Sequence, residues 1–223
     1  MDKRTFLRAI NVLEKQYKIL PRRERPFKIL IHGILSTRTK DTTTFPAQDR
    51  LLKLAGSPEA ILKLSEKQIR DAIYPVGFYR TKARLLKATC RVLLDEYSGK
   101  VPHDKKELMK LPGVGDKVAS LVLVWGFGLP FIPVDTHVSR VSQRLGIVQK
   151  GTKPVKIEEK LESITPKNRA IVLNHLLVTF GREICKPISP LCGSCPVYEL
   201  CEFSGKIYYK NKSNKLINQK LLS

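Results

Sequence analysis

Apolar residues recur at three- and four-residue steps along almost the whole chain, and proline and glycine cut the runs that carry them at short intervals. Phe6, Ile10, Leu13 and Tyr17 make one such stripe, and Leu85, Cys90, Leu93 and Tyr97 make a less regular one. This spacing places an apolar face on an α-helix, and no stretch shows the alternation of a half-buried strand. Breaks fall at Pro21 and Pro26, Gly56 to Pro58, Pro75 to Gly77, Ser98-Gly99, Pro112-Gly113, Gly128 to Pro133, Gly151 to Pro154, and from Pro187 onward. Proline removes a helical donor and glycine loosens the backbone, so each break ends a helix. About ten short helices with short connections predict an all-α protein. With 223 residues, 42% of them apolar, the chain can bury one substantial core or two small lobes.

The charge balance names a class of partner. Lysine and arginine number 41 against 20 acids, a formal charge of +21, and they are spread along the chain. Such a protein seeks a polyanion, and binding to nucleic acid would release counterions and weaken steeply with salt. A ribosomal protein or one bound to an anionic membrane would share that signal. No run approaches the ~20 apolar residues of a bilayer span, and Met1-Asp2-Lys3-Arg4 lacks the apolar core of a secretory signal. The expected location is intracellular, cytoplasm or nucleoid in a prokaryote. Residues 204–223 hold several lysines and no acids after position 203, and read as a basic tail that either brushes DNA or frays in solvent.

The sharpest local motif is Leu111-Pro112-Gly113-Val114-Gly115-Asp116-Lys117. It follows a short helix beginning near His103-Asp104 and precedes an apolar stretch from Val118 to Phe127, which reads as helix, glycine turn, helix. Gly113 and Gly115 let backbone approach a ligand closely, and the amides opening the second helix offer a seat for phosphate. A plain helix connection would look the same. Lys117 falls in the first turn of that helix, where the dipole disfavours a cation. An ordinary lysine amine is neutral in only about one molecule in two to three thousand at pH 7, and a drop of about three units would free roughly a third of it for nucleophilic attack. The competing reading is a lysine that touches phosphate with an ordinary pKa.

Pro133-Val134-Asp135-Thr136-His137 places a carboxylate ahead of an amphipathic helix that runs to Leu145. Asp135 can serve as an N-cap. A helix from Lys117 to Gly128 rises about 16 Å, and the segment from Leu129 to Asp135 can span about 20 Å back. The expectation is therefore an amine and a carboxylate in one cleft, able to attack a sugar carbon and stabilise its developing positive charge.

Four of the five cysteines crowd into Cys185-x6-Cys192-x2-Cys195-x5-Cys201, among Pro187, Pro190, Gly193 and Pro196. An odd count bunched this way is no secreted disulfide framework. Zinc commonly takes two tight Cys-x2-4-Cys pairs, whereas gaps of six and five leave room to wrap a cubane, which favours iron-sulfur over zinc. Cys90 reads as a buried packing thiol.

Together these residues resemble the endonuclease III family of helix-hairpin-helix DNA glycosylases over nearly the whole chain, from about Phe27 to Phe203. Ile34-Leu35-Ser36-Thr37 with Asp41, Val76-Gly77-Phe78-Tyr79 with Lys82-Ala83, the hairpin, Val134 to His137 with Arg140, Gly181-Arg182 and the cysteine spacing all occur in family order. The resemblance implies two all-α lobes: a six-helix lobe at 22–132 carrying the hairpin, and a lobe of 1–21 with 133–203 carrying a 4Fe-4S loop at 185–201. It further implies that Lys117 attacks C1′ of a flipped, oxidised pyrimidine nucleotide and that Asp135 assists departure of the base. The abasic site would then be nicked by β-elimination through a Schiff base. Cys185, Cys192, Cys195 and Cys201 would hold the 4Fe-4S cluster, and its expected role is to hold a basic loop against DNA. Relatives that only hydrolyse tend to have tyrosine or serine where Lys117 stands, which points to a bifunctional glycosylase and lyase acting on damaged or abasic double-stranded DNA, as a monomer.

Departures from the family pattern bear on substrate choice. Arg38 stands where much of the family has glutamine filling the gap left by the flipped base, and Phe78 replaces the usual leucine wedge. An arginine there is similar to archaeal thymine-mismatch enzymes, so uracil or thymine opposite guanine is an alternative substrate. Asp116 replaces a common arginine and weakens positive potential at the hairpin. His137 is expected either at the lesion pocket or bonded to backbone at its helix start, His32 in a structural role, and Trp125 in the core. Tyr79 and Arg80 are open to a DNA contact. A non-catalytic, basic DNA-binding protein with a structural cluster is the rival reading.

Overall fold

The computed structural model describes residues 1–212, and every regular element among them is helical. The chain divides into two compact units, one continuous from Arg22 to Leu129, the other made of Met1–Pro21 with the chain from Pro130 onward. In chain order, α1 (Lys3–Gln16) opens the discontinuous unit. The continuous unit follows with α2 (Pro26–Ser36), α3 (Asp41–Leu54), α4 (Pro58–Lys63), α5 (Glu66–Ile73), α6 (Tyr79–Tyr97), α7 (Lys105–Lys110) and α8 (Asp116–Leu121). The chain then returns with α9 (Thr136–Leu145), α10 (Pro154–Ile164) and α11 (Lys167–Glu183). No described helix is long and apolar enough to cross a membrane.

In the continuous unit α2 is the hub. Its residues Ile29 to Leu35 are all buried, the pattern of a helix surrounded on every side, and α3, α6 and α8 pack on it. A Cβ built on Gly33 would lie 2.5 Å from Cγ1 of Val118, so the missing side chain is what lets α2 and α8 touch. The starts of the surrounding helices follow local rules. Ser57 and Asp104 cap α4 and α7, and Ser65 caps α5 in a reciprocal box with Gln68, each satisfying amides that a first turn leaves without partners.

Two helical stripes differ from the sequence expectation. On α6 Cys90 and Leu93 are buried as expected, whereas Leu85 and Tyr97 are only partly covered and Lys82, Leu86 and Thr89 complete the buried face. The helix expected from Lys117 to Gly128 widens from Val122 to Phe127 into a π-helical stretch. There the Glu24 amide takes the Trp125 carbonyl at 3.1 Å, and Pro26 lies so close that a Cβ on Gly126 would meet its Cα at 3.0 Å. Outside contacts thus replace regular helical ones in that segment. Trp125 is only half-buried, with the Arg22 guanidinium 5.3 Å from its ring centre, so its face packs a cation instead of the expected apolar core.

The discontinuous unit buries Phe6, Ile10 and Leu13 of α1 with Val138, Val141 and Leu145 of α9, Ile157 and Leu161 of α10, and Leu173, Leu177 and Phe180 of α11. Val197 from the cysteine loop joins this core, which ties a loop without long helices to packed ones. Of the basic tail at 204–223, residues 206–212 are helical, and residues 213–223 lie outside the described residues.

Gly33→Ala should cost about 1–3 kcal/mol through overpacking against Val118, more than the gain of up to ~1 kcal/mol in helix propensity. Urea unfolding should show this as a lower midpoint, and adding Val118→Ala should recover part of it.

Candidate active site and cysteine loop

Lys117 stands in the first turn of α8, one turn of chain after the hairpin glycines. Gly113 has φ +79, the left-handed region that favours glycine, and a Cβ there would press on Leu85 at 3.2 Å. The Thr89 hydroxyl on α6 donates to the Pro112 carbonyl at 2.6 Å, holding the turn down. Gly115 differs: it caps α8 with extended backbone that any residue adopts, and a Cβ there would meet nothing within 4 Å. The room around it faces outward, where a ligand can come close. Asp116 pairs with Lys105 at 2.9 Å, so its charge is drawn partly to α7. Lys117 itself is half-buried.

Near Lys117 a buried histidine is locked in one form. His32 meets Gln48 through Nδ1 and Oε1 at 3.2 Å, and the Gln48 amide nitrogen donates to the Lys28 carbonyl at 2.7 Å. That second bond leaves Oε1 as the acceptor, so Nδ1 carries the hydrogen. Burial pushes the His32 pKa down, and the positive charges of Arg22 and Lys117 add to that. A neutral, structural His32 agrees with the sequence expectation.

Arg38 and Phe78 are brought together. Both are exposed, both have positive φ, 53° and 58°, and the Arg38 guanidinium carbon lies 5.8 Å from the Phe78 ring centre. Phe78 projects from the N-cap of α6 with 62% of its surface exposed. Next to it, Tyr79 packs edge-on against Tyr74 at 5.5 Å and carries Arg80 over its ring at 5.6 Å.

In the discontinuous unit Asp135 caps α9. Its Oδ1 accepts the His137 amide at 2.9 Å and the Val138 amide at 2.8 Å, the N-cap geometry considered from sequence. The cap uses one carboxylate oxygen for both amides. His137 pairs its ring Nδ1 with the Arg140 guanidinium at 3.1 Å, and burial lowers its pKa. Its backbone amide thus bonds the Asp135 cap while its ring meets Arg140 and the Gly181 backbone of α11. Lys117 belongs to one compact unit and Asp135 to the other.

Cys185, Cys192, Cys195 and Cys201 line one cavity with Phe180, Ile184 and Phe203. None of the four forms a disulfide. The four thiols thus open onto one shared space, a donor set that fits an iron-sulfur cluster held by four thiolates. Burial raises the pKa of Cys192, Cys195 and Cys201, that of Cys195 to about 12, which is the ordinary behaviour of thiols in an apolar pocket.

Two arginines one helical turn apart on α9 fasten this loop, and composition alone did not single out the second. Arg140 donates to the carbonyls of Cys185 and Gly181 at 2.9 and 2.8 Å. Arg144 donates to those of Lys186 and Pro187 at 2.6 and 3.0 Å and lies over the Phe203 ring at 4.6 Å. Lys206 adds a bond to the Cys201 carbonyl at 2.6 Å. A loop with only one short 3-10 turn leaves many of its carbonyls without backbone partners, and two arginines at i, i+4 spacing on α9, more than 40 residues upstream, were the available signal.

Residues 31–167 match the model of the HhH-GPD superfamily of base excision DNA repair proteins, and residues 185–201 that of the iron-sulfur binding domain of endonuclease III. Endonuclease III of Thermotoga maritima is 40% identical over 193 residues, 85% of this chain and 90% of the relative. A trapped covalent intermediate of an endonuclease III with DNA superposes with a TM-score of 0.85 at 35% identity, covering 93% of this chain and 99% of that one. A thermostable thymine-DNA glycosylase superposes at 0.81 with 26% identity, covering 94% and 97%.

Asp135→Ala should destabilise the protein by about 1 kcal/mol through loss of the cap, whereas Asp135→Asn, itself a good cap, should stay within a few tenths. Thermal unfolding of the two variants separates the capping role from any role of the charge.

Proposed function

This chain belongs to the endonuclease III family of the HhH-GPD superfamily, a bifunctional DNA glycosylase and abasic-site lyase of base excision repair with a 4Fe-4S cluster, and we propose that Lys117 is its nucleophile. The observation that carries this is a half-buried lysine in the first turn of α8, directly after a glycine hairpin held down by Thr89. The lysine nitrogen attacks C1′ of the damaged nucleotide, and the C1′–N bond breaks as the base leaves. The sugar ring opens to an imine on Lys117. Loss of a C2′ proton then breaks the C3′–O bond and nicks the strand, and water releases the lysine. Asp135 supplies the carboxylate that assists departure of the base.

DNA is the partner, and the double-stranded form with an oxidised pyrimidine or an abasic site is the proposed substrate. Gly113 and Gly115 bring hairpin backbone to phosphate. Arg38 and Phe78 fill the gap left when the nucleotide flips, a step that costs a few kcal/mol and selects lesions that stack badly. His137 lies two residues from Asp135 on the same helix start and borders the nucleotide on that side. The cluster is held by Cys185, Cys192, Cys195 and Cys201. When bound it would be a rigid core for the cysteine loop, which Arg140 and Arg144 fasten to α9 and Lys206 holds at its far end. The chain acts as a monomer inside the cell. Activity on uracil or thymine opposite guanine is a second reading, favoured by Arg38 and by the likeness to a thymine-DNA glycosylase.

With a duplex containing one thymine glycol and borohydride present, the wild type should form a covalent adduct and nick the strand. Lys117→Gln should abolish both, and Asp135→Asn should slow base release by about 10²-fold or more while keeping the fold. No adduct from the wild type on this lesion or on an abasic site, with DNA binding intact, would reduce Lys117 to a phosphate contact.

Gly115→Ala should leave stability within about 0.5 kcal/mol, because its Cβ enters open space and its backbone is extended. Its affinity for duplex DNA at fixed salt should fall about tenfold if phosphate sits against the hairpin, and an unchanged affinity would remove the hairpin from the interface.

A further inference from the structure

Lys82 is 4% exposed, inside α6, one turn after Phe78. Its ammonium donates to the Leu35 carbonyl at 2.7 Å, the Thr37 carbonyl at 2.6 Å and the Thr39 hydroxyl at 3.1 Å. Leu35 and Thr37 lie at the C-terminal end of α2, whose last carbonyls have no helical donor and whose dipole end is negative. A lysine carries three donors and a charge of the right sign for that place. The Thr39 hydroxyl also accepts the Gly77 amide at 3.2 Å and donates to the Thr37 carbonyl at 3.3 Å. Gly77 lies so near that a Cβ on it would meet the Arg38 carbonyl oxygen at 3.0 Å. One ammonium and one hydroxyl therefore join the turn that carries Arg38 to the turn that carries Phe78.

Those two residues both have left-handed backbone. For side chains other than glycine that conformation costs free energy, and it persists only where the surroundings over-determine it. Burial pushes the Lys82 amine down to about 8, while three oxygens on its protons act in the opposite direction by favouring the charged form. A buried lysine is costly in a core that could hold methionine, and these bonds are what it does there.

We propose that Lys82, acting through Thr39, is a positioning residue that locks the Arg38 and Phe78 turns into one rigid wedge for entry into the duplex. This rests on reading Arg38 and Phe78 as the pair that fills the gap left by the flipped nucleotide. The clamp acts on opening the duplex and not on chemistry at the sugar.

The test compares single-turnover excision of thymine glycol from a duplex with β-elimination at a preformed abasic site in a single-stranded oligonucleotide, where no stacked pair must be opened. Lys82→Met keeps the stem and removes the donors, and Thr39→Val keeps the shape and removes the bridge. Duplex excision should fall about tenfold or more for the first and about threefold for the second, with the single-stranded rate within about twofold of wild type. Arg38→Ala and Phe78→Ala should likewise lower duplex excision. Parallel loss of both activities in the Lys82 and Thr39 variants, or no loss in either, overturns the clamp. Where Lys82→Met does not fold, Thr39→Val decides alone. If Arg38→Ala and Phe78→Ala leave duplex excision unchanged, the gap-filling reading fails and the clamp with it. If they lower it while the Lys82 and Thr39 variants do not, the clamp alone is lost.

Discussion

The continuous unit depends on the contact between Gly33 and Val118. A helix buried on all sides must accept neighbours at several faces, and at one of them the side chain has been reduced to hydrogen so that α8 can lie against α2. Val118 follows Lys117 directly, and three residues separate Gly33 from Thr37, where α2 gives way to the Arg38 turn. The position of the lysine and the position of the Arg38 turn are thus set from one close approach. Interiors packed this densely transmit small displacements instead of absorbing them, so a methyl group at residue 33 would be felt at both.

Polar groups finish what packing begins. Three oxygens at and just past the end of α2 take their donors from Lys82, the Pro112 carbonyl of the hairpin takes its donor from Thr89, and the carbonyls of the cysteine loop take theirs from Arg140, Arg144 and Lys206. In each case a long or hydroxylated side chain on a regular helix holds an irregular segment, because the segment cannot satisfy its own backbone. Each functional turn is therefore carried by a rigid element behind it.

Much of the fold was legible in the residue order. The three- and four-residue apolar steps and the proline and glycine breaks identify an all-α chain, and the observed helices begin and end close to those breaks. The caps at Asp104 and Asp135 follow from short polar side chains just before apolar stripes. Less legible was the π-helical widening after Val122, since Val118 to Phe127 reads as an ordinary apolar helix and the cause lies in Glu24 and Pro26, almost a hundred residues away in sequence. Trp125 looked like core by composition and is instead half-covered by Arg22, a contact between residues about as distant.

The sequence by itself determined the helical class and the polyanionic partner, which rest on periodicity and net charge, and the resemblance of its motifs to a known family implied the iron-sulfur cluster; all of these are local or additive properties. Only the tertiary structure decided that Lys82 is buried beneath the Arg38 and Phe78 turns, that Gly115 opens outward while Gly113 lies close against Leu85, and that Arg144 fastens the cysteine loop. These are pairings between segments from about 25 to more than 40 residues apart. Sequence periodicity states which face of a helix is covered, but which carbonyl a buried ammonium finds is fixed by where another helix happens to end.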